Sequence, residues 1–357
     1  MLVNKDIKKA STLPGVFYSS EDFFKKSKKI FENTWCLVTD DSFLKKKNKA
    51  FPFFYLDKYI NEPLVLISNK IGELNCFSNV CTHRGNILIE KPSSLKNNLL
   101  CRYHGRKFSL DGKCIFMPKF EDVEDFPCKY DHLTNVSISK WRQFIFCSLN
   151  PQDSLHSFFS EMNSRIGWMP IESFKYSAEL SKDYYVKANW ALYCDNYLEG
   201  FHIPFVHKDL SKHFQYDDYS VEIFPFSSLQ LGVGKSSENC FNLPKESVDY
   251  GKNILAYYFW VFPNMMFNFY PWGLSINIVK PISKELTKIE FKSYVWNKSK
   301  LSKGAGSDLD KVEKEDEEIV ELVQKGVSSR YYEKGRFSPS MEKGVHHFHR
   351  LISEFIK

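Results

Sequence analysis

The spacing of apolar residues changes character twice along the chain. At the start, SEDFFKKSKKIFENTW (20–35) places Phe23, Phe24, Ile30 and Phe31 at near-helical intervals behind Ser20, a good N-cap residue, so one amphipathic helix is expected. From 36 to 150 the apolar runs are short and separated by turns: PLVLISN, LNCFSN, LLCRYHG, KFSLDGKCIFM and QFIFCSLN. With Asp111-Gly112 as a hairpin turn, this pattern predicts a small all-β domain. Beyond 151 helical and strand-like stretches mix. A helix is expected around 189–203. Strands are expected in NILAYYFWVFPNMMFNFYPW, LSINIVKPI and KIEFKSYVWNKS. A Gly-, Ser- and charge-rich loop should fill 302–314, and acidic residues then lead into a helix near 315–326. The segments are therefore 1–35, 36–150 and 151–357, with no internal repeat.

Composition narrows the class. At 357 residues, 43% hydrophobic and 26% charged, the chain suits a globular enzyme of two domains. The 32 Phe, 19 Tyr and 7 Trp supply core and also flat walls for an apolar or cationic ligand. The net charge of +6 sits in surface runs such as Lys45-Lys46-Lys47 without interleaved aromatics, so a solvated surface is expected rather than nucleic-acid binding. No apolar stretch reaches about 18 residues, and MLVNKDIKKASTLPG has no apolar signal core. Nine scattered cysteines do not resemble a disulfide framework. A reducing, cytoplasmic setting without membrane association is expected.

Chemistry concentrates in two places. CTHRG (81–85) and CRYHG (101–105) offer two thiols and two imidazoles. Such a set could hold zinc tetrahedrally, or a [2Fe–2S] cluster with two Cys on one iron and two His on the other. C-x-H is uncommon in zinc modules, and Gly85 and Gly105 permit tight loops. Cys36, Cys76, Cys114, Cys128, Cys147, Cys194 and Cys240 read as packing residues. The second place is YLEGFHIPFVH (197–207), with Glu199 three residues before His202 and His207 five beyond it. On an unbroken helix, five steps of about 100° would point the two imidazoles apart. Pro204 is expected to kink or end the helix and let His207 turn back toward His202. The plainer alternative is a pair of core histidines. His346, His347 and His349 in GVHHFHRLI lack a cysteine or carboxylate at fitting spacing and read as ordinary helix residues.

Together these motifs resemble the Rieske non-haem iron oxygenases, the aromatic-ring-hydroxylating alpha-subunit family, and within it the choline-monooxygenase-like branch. The resemblance runs over nearly the whole chain. It implies one [2Fe–2S] cluster on Cys81, His83, Cys101 and His104, with a potential in the range of roughly −150 to +300 mV. It implies one mononuclear Fe(II) on His202, His207 and a downstream carboxylate. Asp316 in EKEDEEIVELVQKG is the best match, eight residues before Gln324. Glu199 falls where the family has an acidic residue joining the metal sites, bonded to His202 and to His104 of a neighbouring subunit; most relatives carry Asp there. Many relatives have Trp where this chain has Arg106. Asn189 and Asn196 match positions near the site, against a reading as capping or packing residues.

The implied fold class is α+β. An all-β Rieske domain (36–150) follows a helical arm (1–35) that packs on the catalytic domain. The catalytic domain (151–357) has the helix-grip form with an antiparallel sheet. The family also implies a head-to-tail homotrimer and electrons from NAD(P)H through a separate reductase or ferredoxin. O₂ is then activated to oxygenate a small organic substrate. In this branch the substrate would be a quaternary ammonium or N-methyl compound held by cation–π contacts. Tyr257, Tyr258, Trp260, Tyr270 and Trp272 are candidates, against a reading as sheet core. The rivals are an aromatic-ring hydroxylating dioxygenase or a terpenoid oxygenase and, from another class, a Rieske electron-transfer protein without oxygenase activity.

Overall fold

A computed structural model describes residues 2–207, 220–235, 239–301, 303 and 309–357. The chain forms two compact units, Glu32–Gln152 and Met1–Phe31 with Asp153–Lys357. The smaller unit is built from ten strands: β1 Cys36–Asp40, β2 Lys49–Tyr55, β3 Glu62–Ser68, β4 Leu74–Ser78, β5 Ser93–Ser94, β6 Asn98–Leu100, β7 Lys107–Ser109, β8 Cys114–Phe116, β9 Ser137–Trp141 and β10 Phe144–Ser148. They make three antiparallel sheets, β1-β10-β9, β4-β3-β2-β5 and β6-β7-β8. Gly112 turns the β7–β8 hairpin at φ 78°, where Asp111-Gly112 predicted it. Ala50, Val65, Ile67, Phe77, Leu99 and Phe108 share one core with Cys81 and Cys101, so both thiols are anchored at its edge.

In the larger unit the expected helix at 20–35 divides. The elements are α1 Gly15–Ser19, α2 Glu21–Lys26 and α3 Lys28–Glu32. Ser20 caps α2 through the Asp22 N–H at 3.2 Å. Ser27 interrupts the run because its hydroxyl donates to the Phe24 carbonyl at 2.7 Å and competes with the helix ladder. A helix α4 (Leu155–Ile166) precedes a seven-stranded antiparallel sheet. Its strands are β11 Lys175–Val186, β12 Val221–Ile223, β13 Ser227–Val233, β14 Ile254–Val261, β15 Met265–Tyr270, β16 Gly273–Ser283 and β17 Leu286–Val295. Strands β12 to β17 form a meander, and β11 pairs with β17 at the edge.

The continuous apolar run of β14 is explained by cover on both faces. On one face Phe159 of α4 packs edge-on against Phe267 at 5.4 Å. The other face carries α5 (Trp190–Tyr197) and α8 (Lys343–Phe355), with Phe348 between Trp190 and Trp260. Short α6 (Ile203–Val206) follows α5, and α7 (Leu309–Val327) packs on α5. The loop expected over 302–314 is therefore shorter: residues 309–314 belong to α7, while 302 and 304–308 lie outside the described residues. Among the described residues no helix is long and apolar enough to cross a membrane.

Candidate metal centres

Asn189 is the N-cap of α5. Its side chain accepts from the Ala191 N–H at 3.0 Å and donates to the Tyr18 carbonyl at 3.2 Å, and its own N–H donates to Gln324 Oε1 at 2.8 Å. The capping reading of Asn189 is thus the one observed. Helix α5 ends at Tyr197, seven residues before Pro204. Pro204 does not make the break; it lies in the first turn of α6, where a missing N–H is tolerated. Residues 198–202 make the turn instead. Gly344 of α8 lies flush on it: a Cβ there would come within 2.3 Å of the Leu198 carbonyl oxygen. The Glu199 carboxylate folds onto the same turn, with Oε2 accepting from the Phe201 and His202 N–H groups and Oε1 2.7 Å from His202 Nδ1. The Glu-x-x-His spacing is a property of this turn, not of a helix face.

The turn delivers His202 and His207 to α7. Asp316 Oδ1 stands 3.0 Å from His207 Nε2 and 3.5 Å from His202 Nε2. Donors about 2.1 Å from one metal ion in adjacent octahedral positions sit about 3 Å apart, so the three fit a single ion with one face left open. Among the described residues this is the group of three or more His, Cys, Asp or Glu whose donor atoms all lie within 4.8 Å of one another. Asn196 donates to Asp316 Oδ1 at 2.7 Å and fixes its position.

Each imidazole is also held from behind. His202 Nδ1 meets Glu199 and His207 Nδ1 meets Glu315 Oε2, both at 2.7 Å. A carboxylate on Nδ1 leaves Nε2 as the free donor toward a metal. Glu315 and Asp316 therefore grip the two nitrogens of one buried ring. Burial opposes the charged form of His207, but the hydrogen bonds and charges of Asp316 and Glu315 outweigh it and raise its pKa. An acidic pocket that favours the protonated ring is one a divalent cation would neutralise. One turn back, Glu313 is 4% exposed and accepts from the Tyr193 hydroxyl at 2.6 Å. Burial, then the nearby carboxylates, push its pKa well up. Glu313 and the His207 partnership of Glu315 escape sequence reading, because nothing local sets either residue apart from the other acids of this run.

The two Cys–His loops are twins despite their different spacing. In the first, Cys81 N–H donates to the Asn86 carbonyl and Gly85 N–H to the Cys81 carbonyl, at 2.8 and 3.0 Å. In the second, Cys101 N–H donates to Arg106 and Gly105 N–H to Cys101, again at 2.8 and 3.0 Å. Gly85 and Gly105 have φ of 69° and 78°, the left-handed conformation that closes each loop. Both thiols are buried at 2% exposure, and the His83 and His104 rings lie 4.8 Å apart at the outer rim. Burial pushes the Cys81 thiol up, and Cys101 beside it adds to the effect. Two paired donors of each kind on facing loops, without convergence on one point, suit a two-iron cluster better than one tetrahedral zinc.

The remaining candidates have structural partners. His346 Nε2 meets the Asn4 carbonyl at 2.8 Å, His347 packs against Trp260, and His349 joins Tyr18, Asp195 and the Leu13 N–H. Tyr257 lies against Phe241 and donates to Asp249, and Trp260 sits between Phe262 and Phe348, so both are core. Tyr270 stacks on Trp272 at 5.3 Å, with Tyr258 edge-on at 5.9 Å. Tyr258 shares the α5 side of the sheet with Asn268, which accepts from the Tyr197 hydroxyl at 2.6 Å.

Residues 34–127 match the Rieske [2Fe-2S] domain family, and residues 168–357 match the family described as ring hydroxylating alpha subunit (catalytic domain). The carnitine monooxygenase oxygenase subunit of Acinetobacter baumannii is 29% identical over 99% of this chain and 96% of that protein. The chloroplastic choline monooxygenase of Arabidopsis thaliana is 27% identical over 98% of this chain and 84% of that protein. The crystal structure of the quaternary ammonium Rieske monooxygenase CntA with L-carnitine superposes with a TM-score of 0.77 at 25% identity, covering 99% of this chain and 97% of that one. Two paired Cys–His loops and a convergent His–His–Asp group thus occur in a chain that belongs to the ring-hydroxylating alpha-subunit family, and it is a Rieske oxygenase.

Proposed function

We propose that this chain is the terminal oxygenase of a multicomponent system acting on a quaternary ammonium or N-methyl compound, and that its iron ligands are the residues described above. Cys81, His83, Cys101 and His104 would hold the [2Fe–2S] cluster; His202, His207 and Asp316 would hold Fe(II). The observation that carries the reading is the meeting of three donors from two distant helical segments at 3.0 and 3.5 Å. When bound, the cluster supplies single electrons and the ferrous ion an oxygen-activating centre. The protein's own contribution is orientation. Glu199 and Glu315 fix the histidine rings, and Asn196 fixes Asp316.

Glu199 is also the inter-subunit link to His104 of a neighbouring copy in a homotrimer. Its oxygens already serve the 198–202 turn, but a carboxylate has lone pairs to spare for one more donor. Electrons come from NAD(P)H through a reductase or ferredoxin. The names of the relatives support a trimethylammonium substrate, and the chemistry agrees: such a group has no N–H to donate, so ring faces recognise it. Tyr258, half-buried beside the core pair Tyr270 and Trp272, is the ring we assign to that role. Oxygen uptake with choline, carnitine, glycine betaine and stachydrine, together with aldehyde and formaldehyde release, tests the reading. Turnover of an aromatic hydrocarbon but none of these amines would overturn the substrate class.

A further inference from the structure

Arg106 closes the second cluster loop, and it is almost completely buried, at 2% exposure. A guanidinium keeps its charge in proteins, so this is a permanent cation inside the smaller unit. Its environment is apolar on three sides: the Phe126, Phe120 and Phe108 ring centroids lie 5.2, 5.9 and 6.0 Å from its central carbon. Both cluster loops hold it. Its carbonyl accepts from Cys101 N–H at 2.8 Å, and its Nη1 donates at 2.9 Å to the hydroxyl of Thr82, the residue between Cys81 and His83.

One counter-charge pairs with it among the described residues. Nη2 donates to Asp131 Oδ1 at 2.5 Å, and Cys128 N–H donates to Asp131 Oδ2 at 2.8 Å. The compensation is uneven, because the Asp131 side chain is 21% exposed against 2% for Arg106. Water screens the anion more than the cation. The Arg106 Nε–H is buried and has no acceptor among the described residues. Positive potential therefore remains beside the ligand loops.

We infer that the Arg106–Asp131 pair sets the reduction potential of the cluster, with Arg106 raising it and Asp131 limiting the rise. The inference rests on the ligand assignment proposed above. Reduction adds one electron to the cluster, and a fixed cation in a low-dielectric wall stabilises that added charge. An uncharged ring in the same volume would not. Relative to such a centre, this one takes an electron from its donor more readily and releases it less readily. Arg106 acts through the loops and the local field, so it is a positioning and tuning residue.

The test is a redox titration of the reconstituted holoenzyme, followed by absorbance and EPR, with iron and acid-labile sulfide measured on every sample. Arg106→Met should lower the midpoint potential, and Arg106→Lys should restore most of it. Asp131→Asn should raise it, and the double variant should fall between the single ones. A fully loaded Arg106→Met protein at the wild-type potential would overturn the inference. So would Asp131→Asn shifting in the same direction as Arg106→Met. If Arg106→Met fails to assemble a cluster, Asp131→Asn still decides, because it keeps the buried cation. A wild-type chain that holds no cluster would instead refute the ligand assignment.

Discussion

The proposed cluster loops close within six residues of each cysteine, whereas the proposed mononuclear site joins His207 to a carboxylate 109 residues away. The first arrangement is fixed by local chain conformation: a left-handed glycine and two backbone hydrogen bonds per loop. The second is fixed by packing, since α7 must lie on α5 before Asp316 can reach the imidazoles. Local sites should therefore fail through backbone strain, and remote ones through loss of a ligand or of the contacts that place it.

The largest effect should come from His207→Ala. It should abolish oxygenation and lower iron from about three to about two per chain, with the Rieske absorption spectrum intact. Loss of that spectrum would show that the two regions are not independent. Next in size is Asn196→Ala, which removes the 2.7 Å bond to Asp316. Fe(II) affinity should fall by about 10- to 100-fold, measured by chelator competition, without change at the cluster.

The glycines provide the converse test. Both Gly85→Ala and Gly105→Ala force a left-handed side chain, a cost of roughly 1–2 kcal/mol. Only at Gly105 would the new Cβ also press on a neighbour, Pro118 Cγ at 3.2 Å. Gly105→Ala should therefore lower cluster occupancy more than Gly85→Ala, and both should leave mononuclear iron unchanged.

The smallest effect concerns α8, which backs the turn at Leu198. Burial lowers the pKa of His347 to about 4. The unfolded chain binds a proton near pH 6.5, which the folded chain refuses until about pH 4. Stability should fall as pH drops through that window and level off below it. Thermal unfolding of His347→Gln should show a shallower fall; an identical slope would remove His347 as the cause.

The same contrast explains what could be read from the sequence. The two like Cys–His loops at 81–85 and 101–105 are legible because each is a contiguous motif with its glycine in place. The all-β character of the smaller unit and the antiparallel strands of the larger one follow from short apolar runs. His202 and His207 could be paired from their spacing, but Asp316 could be named only through family resemblance, since no local rule relates residues 207 and 316. The helix breaks after Tyr197 and not at Pro204, because proline rules describe the helix interior and Pro204 lies in a first turn. The roles of Glu315, Glu313 and Asp131 depend on which surfaces meet, and periodicity carries no such information. Arg106 stood out only as a departure from relatives; its burial gives that departure a physical meaning.

Anomalous diffraction at the iron edge, from crystals grown without oxygen, tests the two-site arrangement most directly. Two adjacent peaks between the Cys81–Cys101 and His83–His104 pairs are expected, with a separate single peak bonded by His202, His207 and Asp316. A filled cluster with no iron at those three residues, or with iron bound elsewhere in the larger unit, would contradict it.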